Sequence, residues 1–315
     1  MSRAVLAPPP GQAPDAAAPT ARRLLLEVSR RLDGLLQGDH LGFLPGPGSE
    51  PAEARLYAPG DDVRRMDWSV TARTGSAHVR EATAERELET TLLVDLSASM
   101  DFGTVRWEKR ALALQVAAAF THLGGGPGDR VGAVVLTDDG LRRLPARAGR
   151  TGSLALLHSL LEVPRGGAGG GPGLAEALGS LSSPPRRRGL VVVLSDLLEP
   201  GRTTGEPAWA RPLRVLARRH DVLVGEVVDP RELELPDVGV LRLVDPESGR
   251  MLEVSTRSRG LRERYAAAAA ERRVGHAAAV RAAGAGHVLL RTDGDWLLEL
   301  VRCLAVRRRT RQAVR

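Results

Sequence analysis

Leu92-Leu93-Val94-Asp95-Leu96-Ser97-Ala98-Ser99-Met100 is a short apolar run that ends in a carboxylate and two hydroxyls at alternate positions. Residues two apart on a strand share a face. Once the chain turns at the strand end, the same spacing can aim Asp95, Ser97 and Ser99 at one point. Three oxygen donors, one charged and two neutral, suit a hard cation such as Mg²⁺. A plainer reading is also open: Asp95 can cap the N–H groups of the following turn, and Ser97 and Ser99 are ordinary turn residues. Location decides between the two, and location comes from the rest of the chain.

Working outward, strand and helix signals alternate. Residues 91–94 read as a strand and Lys109–Leu123 as a helix, with Leu112, Val116, Phe120 and Leu123 on one face. A turn over 124–128 leads to a strand at 131–136. The glycine-rich stretch 166–173 reads as a flexible hinge opening a helix at Leu174–Leu181. Residues 190–194 form a continuous apolar strand ending in Ser195-Asp196, followed by a helix over 212–219 and a strand over 222–228. Residues 231–254 alternate around Asp245-Pro246-Glu247-Ser248-Gly249, the pattern of a β-hairpin. An Ala-rich helix over 259–283 precedes a strand at 287–290. Thr292-Asp293-Gly294-Asp295 then has capping-box spacing before a last helix. Apolar strands alternating with helices predict a mostly parallel sheet covered on both faces. Ligands of such sheets bind beyond the carboxyl ends of the strands. Asp95 and Asp196 both lie at such ends, which favours a shared site over chance turn chemistry.

Composition bounds the function. The chain has 315 residues, 43% of them hydrophobic but only 3% aromatic, so its core must be built from Leu, Val and Ala. Lys109 is the only lysine among 45 basic residues; with the abundant Ala, Gly and Pro, this reads as a coding bias. The net charge of +7 is concentrated in Arg186-Arg187-Arg188 and in Arg307, Arg308, Arg309, Arg311 and Arg315. Without interleaved aromatics these runs do not single out nucleic acid as the partner. The single cysteine, Cys303, excludes an internal disulfide, agrees with a reducing compartment, and falls in an apolar helical pattern. Neither a signal-peptide core nor an 18-residue apolar run occurs, so a cytoplasmic protein without a membrane span is expected. Residues 1–19 are Ala/Pro-rich and read as a disordered tail, with a helix over 21–36 and a Gly/Pro-rich link over 42–51.

The order Asp-x-Ser-x-Ser after a buried strand resembles the first part of a metal-ion-dependent adhesion site in a von Willebrand factor A domain. That resemblance implies Mg²⁺ held by Asp95, Ser97, Ser99 and Asp196, with a coordination position left for an acidic partner group. It also implies a threonine in the loop before the helix at 174. There the chain reads Gly171-Pro172-Gly173-Leu174, and proline supplies no side-chain oxygen; Thr151 is a weak substitute.

A second block strengthens the family reading. Tyr57, Gly60, Asp61, Asp62, Arg64, Asp67, Trp68, Thr71, Ala72 and Arg73 are followed by Val79, Arg80 and Glu81, and then by Asp95, Ser97, Ser99 and Met100. In this order and spacing, with Met66 where Ile is common, the chain resembles the domain of unknown function 58 (DUF58) family. Read blandly, the block is a solvated surface hairpin laced with weak ion pairs. The resemblance implies a Rossmann-like von Willebrand factor A fold, α/β with a mostly parallel sheet flanked by helices. It further implies a non-enzymatic interaction role beside a MoxR-type AAA+ ATPase in chaperone-like complex assembly. No Gly-x-x-x-x-Gly-Lys-Ser/Thr sequence occurs, so nucleotide binding would belong to that partner.

The expected organisation is an N-terminal helix and polar motif segment over 20–90, an A-like domain over 91–306 with the hairpin at 231–254 inserted, and a basic tail over 307–315. Partner contacts are expected at Asp61, Asp62, Arg64, Asp67, Trp68, Arg73, Arg80 and Glu81. Three alternatives stay open: a metal-free scaffold, a haloacid dehalogenase-like phosphohydrolase with Asp95 as nucleophile, and a nucleic-acid binder using the arginine tail. The second lacks the carboxylate such enzymes place two residues on, a position held here by Ser97.

Overall fold

The computed structural model describes residues 17–39, 54–59, 61–80, 89–126, 128–167, 171–182, 188–199, 205–244 and 251–313. The quoted segment lies at the centre of its main sheet. Strand β3 (Glu89–Asp95) pairs in parallel with β4 (Arg130–Thr137) on one side and with β6 (Leu190–Ser195) on the other. Beyond β6 lie β7 (Asp221–Val228) and β10 (Gly286–Arg291), both parallel; beyond β4 lies the antiparallel edge strand β5 (Gly140–Ala148). The order β10-β7-β6-β3-β4-β5 reverses direction at β3, the arrangement of a doubly wound sheet. The expected α/β class and mostly parallel sheet are therefore present.

Both faces of β3 are dry, which is why its sequence runs apolar without alternation. Leu92 and Val94 pack into a layer formed by α1 (Ala17–Asp39), α3 (Lys109–Leu123), α4 (Gly149–Leu161) and α9 (Trp296–Ala313). Phe120, Leu157, Leu160, Leu297 and Leu300 are its inner residues. Leu93 points the other way, into a layer of α5 (Leu174–Leu181), α6 (Ala210–Ala217) and α8 (Arg259–Ala282), where Leu178, Leu213 and Val280 are buried beside Trp209. With few aromatics, close-packed aliphatics supply the burial, as composition required.

Strand β5 carries Arg142, Arg143 and Arg147 exposed around Pro145, a polar edge unlike the apolar strands within. Its register shifts opposite Gly132, where a Cβ would lie 2.8 Å from the Ala146 nitrogen. One buried charge sits mid-sheet. Glu226 on β7 takes a contact of 3.1 Å from His276 on α8 and one of 2.8 Å from His287 on β10. Burial works to raise the Glu226 pKa, but the bonds and charge of the two histidines prevail and hold it below the ordinary carboxylate range.

Several expectations are corrected. The hairpin pairs β8 (Val240–Val244) with β9 (Met251–Ser255), while Pro230–Leu233 forms a helical turn, α7. Thr292 does not cap α9: its hydroxyl bonds Asp229 at 2.9 Å, and Asp295 receives the Leu298 N–H instead. Helix α9 runs on through Ala313, across the expected start of the basic tail, and Arg307 bonds Asp221 at 2.5 Å. Among the described residues, no helix is long and apolar enough to cross a membrane.

Candidate functional site

Asp95 closes β3 and is buried. Its Oδ1 accepts from the Ser97 backbone N–H at 3.1 Å and from the Ser97 hydroxyl at 2.6 Å; its Oδ2 accepts from the Ser195 hydroxyl at 2.7 Å. The chain then turns through a single 3₁₀ turn over Ala98–Met100, which brings the Ser99 Oγ within 3.4 Å of the Ser97 Oγ. Asp95, Ser97 and Ser99 thus lie together in one hydrogen-bonded turn. Pairing of Val94 with Leu194 sets the end of β6 alongside, so Ser195 and Asp196 join the cluster. Burial, and next the negative charge of Asp196, push the Asp95 carboxyl up to about 6, while the Ser97 and Ser195 bonds act the other way.

Asp196 is already engaged. Its Oδ1 accepts from the Leu198 N–H at 3.1 Å and its Oδ2 from the Lys109 ammonium at 2.8 Å. Lys109, fully buried, also donates to Glu232 at 2.5 Å and lies 5.8 Å from the centre of the Phe102 ring. Burial would lower the lysine pKa, but the Asp196 and Glu232 charges outweigh it and keep the ammonium protonated. One ammonium cannot neutralise three carboxylates. Burial raises the Glu232 carboxyl despite the opposing lysine, as burial and the Asp196 charge raise that of Asp95.

Sequence reasoning missed Lys109 and Glu232. The available signal was the solitary lysine itself, set at the first position of a helix whose dipole disfavours cations there. Such a residue needs a strong anionic partner, and the coding-bias reading overlooks that need.

The residues present do not fit the divalent cation that the resemblance implies. Both oxygens of Asp196 and both of Asp95 already accept hydrogen bonds, and an ammonium lies against Asp196. Pro172 brings no side-chain oxygen. Among the described residues, no group of three or more His, Cys, Asp or Glu side chains is placed to hold a metal.

Where it is described, the glycine-rich loop is close-packed at two of its glycines. A Cβ on Gly166 would lie 2.0 Å from the Asp138 carboxylate, and one on Gly171 would lie 2.3 Å from the Asp138 carbonyl oxygen. These glycines are seated against the β4–β5 turn, whose Asp138 accepts from the Ala98 N–H at 3.0 Å. The loop and the Asp95 turn therefore brace each other. Leu197, just after Asp196, adopts a left-handed backbone (φ 59°), a strained conformation of the sort found at sites.

The rim around the site is tied at one carboxylate. Asp229, buried at the end of β7, accepts from the Thr104 N–H (2.9 Å), the Thr104 hydroxyl (2.6 Å), the Arg231 N–H (2.9 Å) and the Thr292 hydroxyl (2.9 Å). Burial works to raise its pKa; these bonds more than offset that and hold the carboxyl below its ordinary value. The loops after β3, β7 and β10 thereby share one anchor. Phe102 and Val105, on the first of those loops, are 39% and 47% exposed, an apolar rim beside a polar site.

The upstream block forms a separate two-stranded unit, β1 (Ala54–Leu56) antiparallel to β2 (His78–Arg80), with α2 (Trp68–Thr74) between them. Its three aspartates hold its turns. Asp61 accepts from the two terminal Arg55 guanidinium nitrogens at 2.6 Å, Asp62 accepts from the Arg64 N–H, and Asp67 caps α2 through Ser69 and Val70. Arg64, Arg73 and Trp68 are exposed instead, Trp68 to 68%. The expected partner residues thus divide into scaffold and surface. Arg80 lies on β2, and Glu81 lies outside the described residues.

Residues 53–275 match the family described as "Protein of unknown function DUF58". An uncharacterized protein of Mycobacterium tuberculosis, Rv1480, is 52% identical over 288 residues, covering 91% of this chain and 89% of its own. An uncharacterized Mycobacterium avium protein, MAV169, is 42% identical over 54% of this chain and 96% of its own. Among solved structures, the conserved hypothetical protein BatB of Bacteroides thetaiotaomicron covers 71% of this chain and 99% of its own at 16% identity, TM-score 0.38. The SpRpn10 VWA domain covers 69% and 94% at 12% identity, TM-score 0.37.

Proposed function

Because the chain belongs to the DUF58 family of unknown function, we propose that it is a non-enzymatic protein-interaction module, acting in the cytoplasm beside a MoxR-type AAA+ ATPase in chaperone-like complex assembly. The observation that carries this reading is the Asp95–Ser97–Ser99 turn, set at the carboxyl end of the sheet and flanked by exposed Phe102 and Val105. Exposed apolar side chains beside a fixed polar cluster suit protein docking, where apolar contact supplies affinity and polar groups fix orientation. Trp68 on the small unit offers a second anchor of the residue type most enriched at interface hot spots.

Against catalysis stands the state of the one candidate nucleophile. Both Asp95 oxygens accept hydrogen bonds, and Ser97, where a phosphohydrolase would place its general acid, donates to Asp95 instead. Nucleotide hydrolysis is assigned to the ATPase, since this chain carries no phosphate-binding loop motif.

The test is co-purification of the full chain with the AAA+ ATPase encoded nearest its gene. Wild type is expected to retain the ATPase, whereas Val105→Asp and Trp68→Ala lower the captured fraction at least tenfold with melting temperatures unchanged. Equal capture by all three proteins would remove both surfaces from the reading, and turnover of a phosphomonoester that vanishes in Asp95→Asn would reverse the non-enzymatic assignment.

A further inference from the structure

A chain with 45 basic residues uses lysine once, and that lysine is completely buried in the candidate site. The position is hostile to it. It opens α3, where the helix dipole opposes a cation, and burial alone opposes any charge. Its surroundings reverse both costs. The Nζ lies 2.8 Å from Asp196 and 2.5 Å from Glu232, with the Phe102 ring centre 5.8 Å away. Two carboxylates and an aromatic ring thus answer its three N–H donors. Arginine, used everywhere else, presents a broad planar fork; a compact ammonium on an unbranched stem is the cation shaped for this gap.

We propose that the Lys109 ammonium is the resident cation of the site, taking the charge-neutralising place a divalent metal holds in a metal-ion-dependent adhesion site, so that the protein folds and docks without one. This rests on reading Asp95, Ser97, Ser99 and Asp196 as a site of that type, but not on the identity of any partner. Three features converge on it. Asp196, the carboxylate expected to hold the metal, is saturated by Lys109 and the Leu198 N–H. The loop that should bring a threonine brings Pro172. A divalent ion set beside Asp196 would face a buried ammonium that has nowhere to retreat, since Glu232 and Phe102 close it in.

The experiment uses the full chain after chelator treatment, titrated with Mg²⁺ and Mn²⁺ by calorimetry and by thermal denaturation. Wild type should give no saturable heat and a melting shift under about 1 °C at metal concentrations that would saturate a useful site. Lys109→Ala should melt roughly 6–20 °C lower in chelator, the usual consequence of orphaning buried partners in a domain of this size. Millimolar Mn²⁺ should not restore that loss, since the carboxylates left behind are not placed to hold a metal together. Saturable binding to wild type that disappears in Asp196→Asn overturns the proposal, as does Lys109→Ala with undiminished stability in chelator. Should Lys109→Ala fail to fold, the wild-type titration decides alone. Loss of ATPase capture in the earlier test leaves these metal readouts untouched, so the two readings fail separately.

Discussion

Asp229→Asn is the sharpest test of how the site is held. Asparagine keeps the shape of aspartate but turns one of its two acceptor oxygens into an NH₂ donor. In the native protein Oδ1 accepts from the Thr104 hydroxyl and the Arg231 N–H, and Oδ2 from the Thr104 N–H and the Thr292 hydroxyl. Whichever way the amide is turned, its NH₂ meets one backbone N–H and one hydroxyl. The hydroxyl can rotate and accept; the N–H cannot. One buried donor is therefore orphaned, at about 1–3 kcal/mol, and the remaining bonds lose the strengthening that a charged acceptor gives. A total of roughly 2–4 kcal/mol corresponds to a melting temperature about 4–16 °C lower for a domain of this size.

The pH dependence of the same variant supplies an independent readout. The Asp229 carboxyl is held below its ordinary value, so its contribution is fully present above the unfolded pKa and is lost as pH falls through the folded one. Wild type should therefore lose stability below about pH 4 more steeply than Asp229→Asn. Chemical denaturation of both proteins from pH 7 to pH 3 measures this. A variant within about 0.5 kcal/mol of wild type at pH 7, with a parallel acid limb, would refute the hydrogen-bond accounting.

Two further perturbations follow from the packing. Glu226→Gln should cost about 1–3 kcal/mol at pH 7 by removing the charged acceptor that His276 and His287 share. It should also flatten the acid limb below about pH 4.5, since the wild-type carboxyl is held below that value and its contribution vanishes as it protonates; denaturation across that range tests it, and an unchanged slope would exclude the Glu226 pair from acid stability. Gly171→Ala places a Cβ 2.3 Å from the Asp138 carbonyl oxygen, a backbone clash expected to cost about 1–3 kcal/mol, whereas Gly167→Ala, with nothing within 4 Å, should leave the melting temperature unchanged. Equal stability of the two alanine variants would restore the hinge reading of the loop.

What could be read from sequence, and what could not, divides along the range of the interaction. Strands β3 and β6 are legible because burial on both faces makes them continuous apolar runs bounded by polar turns. Edge strand β5 was missed because Arg142, Arg143, Pro145 and Arg147 protect an open edge, and protection erases the apolar signal. Asp95, Ser97 and Ser99 converge through local spacing, and Asp196 joins them through a general rule about sheet ends. The Lys109–Glu232 contact spans 123 positions and follows no local pattern. Thr292 was misread for a similar reason: its local spacing matched a capping box, but a distant carboxylate took the hydroxyl. The glycines at 166 and 171 showed the reverse error. Small residues that look permissive in sequence are small here because another backbone lies against them.

The anchor at Asp229 bears on how a partner could be captured. Because the loops following three different strands are fastened to one carboxylate, the surface bearing Phe102 and Val105 is already in shape before anything arrives. Little ordering entropy is then lost on contact, so even a small apolar rim can hold a partner. The same stiffness denies the rim the adaptability of a promiscuous surface. On the docking reading proposed above, recognition is committed to one complementary shape rather than to many.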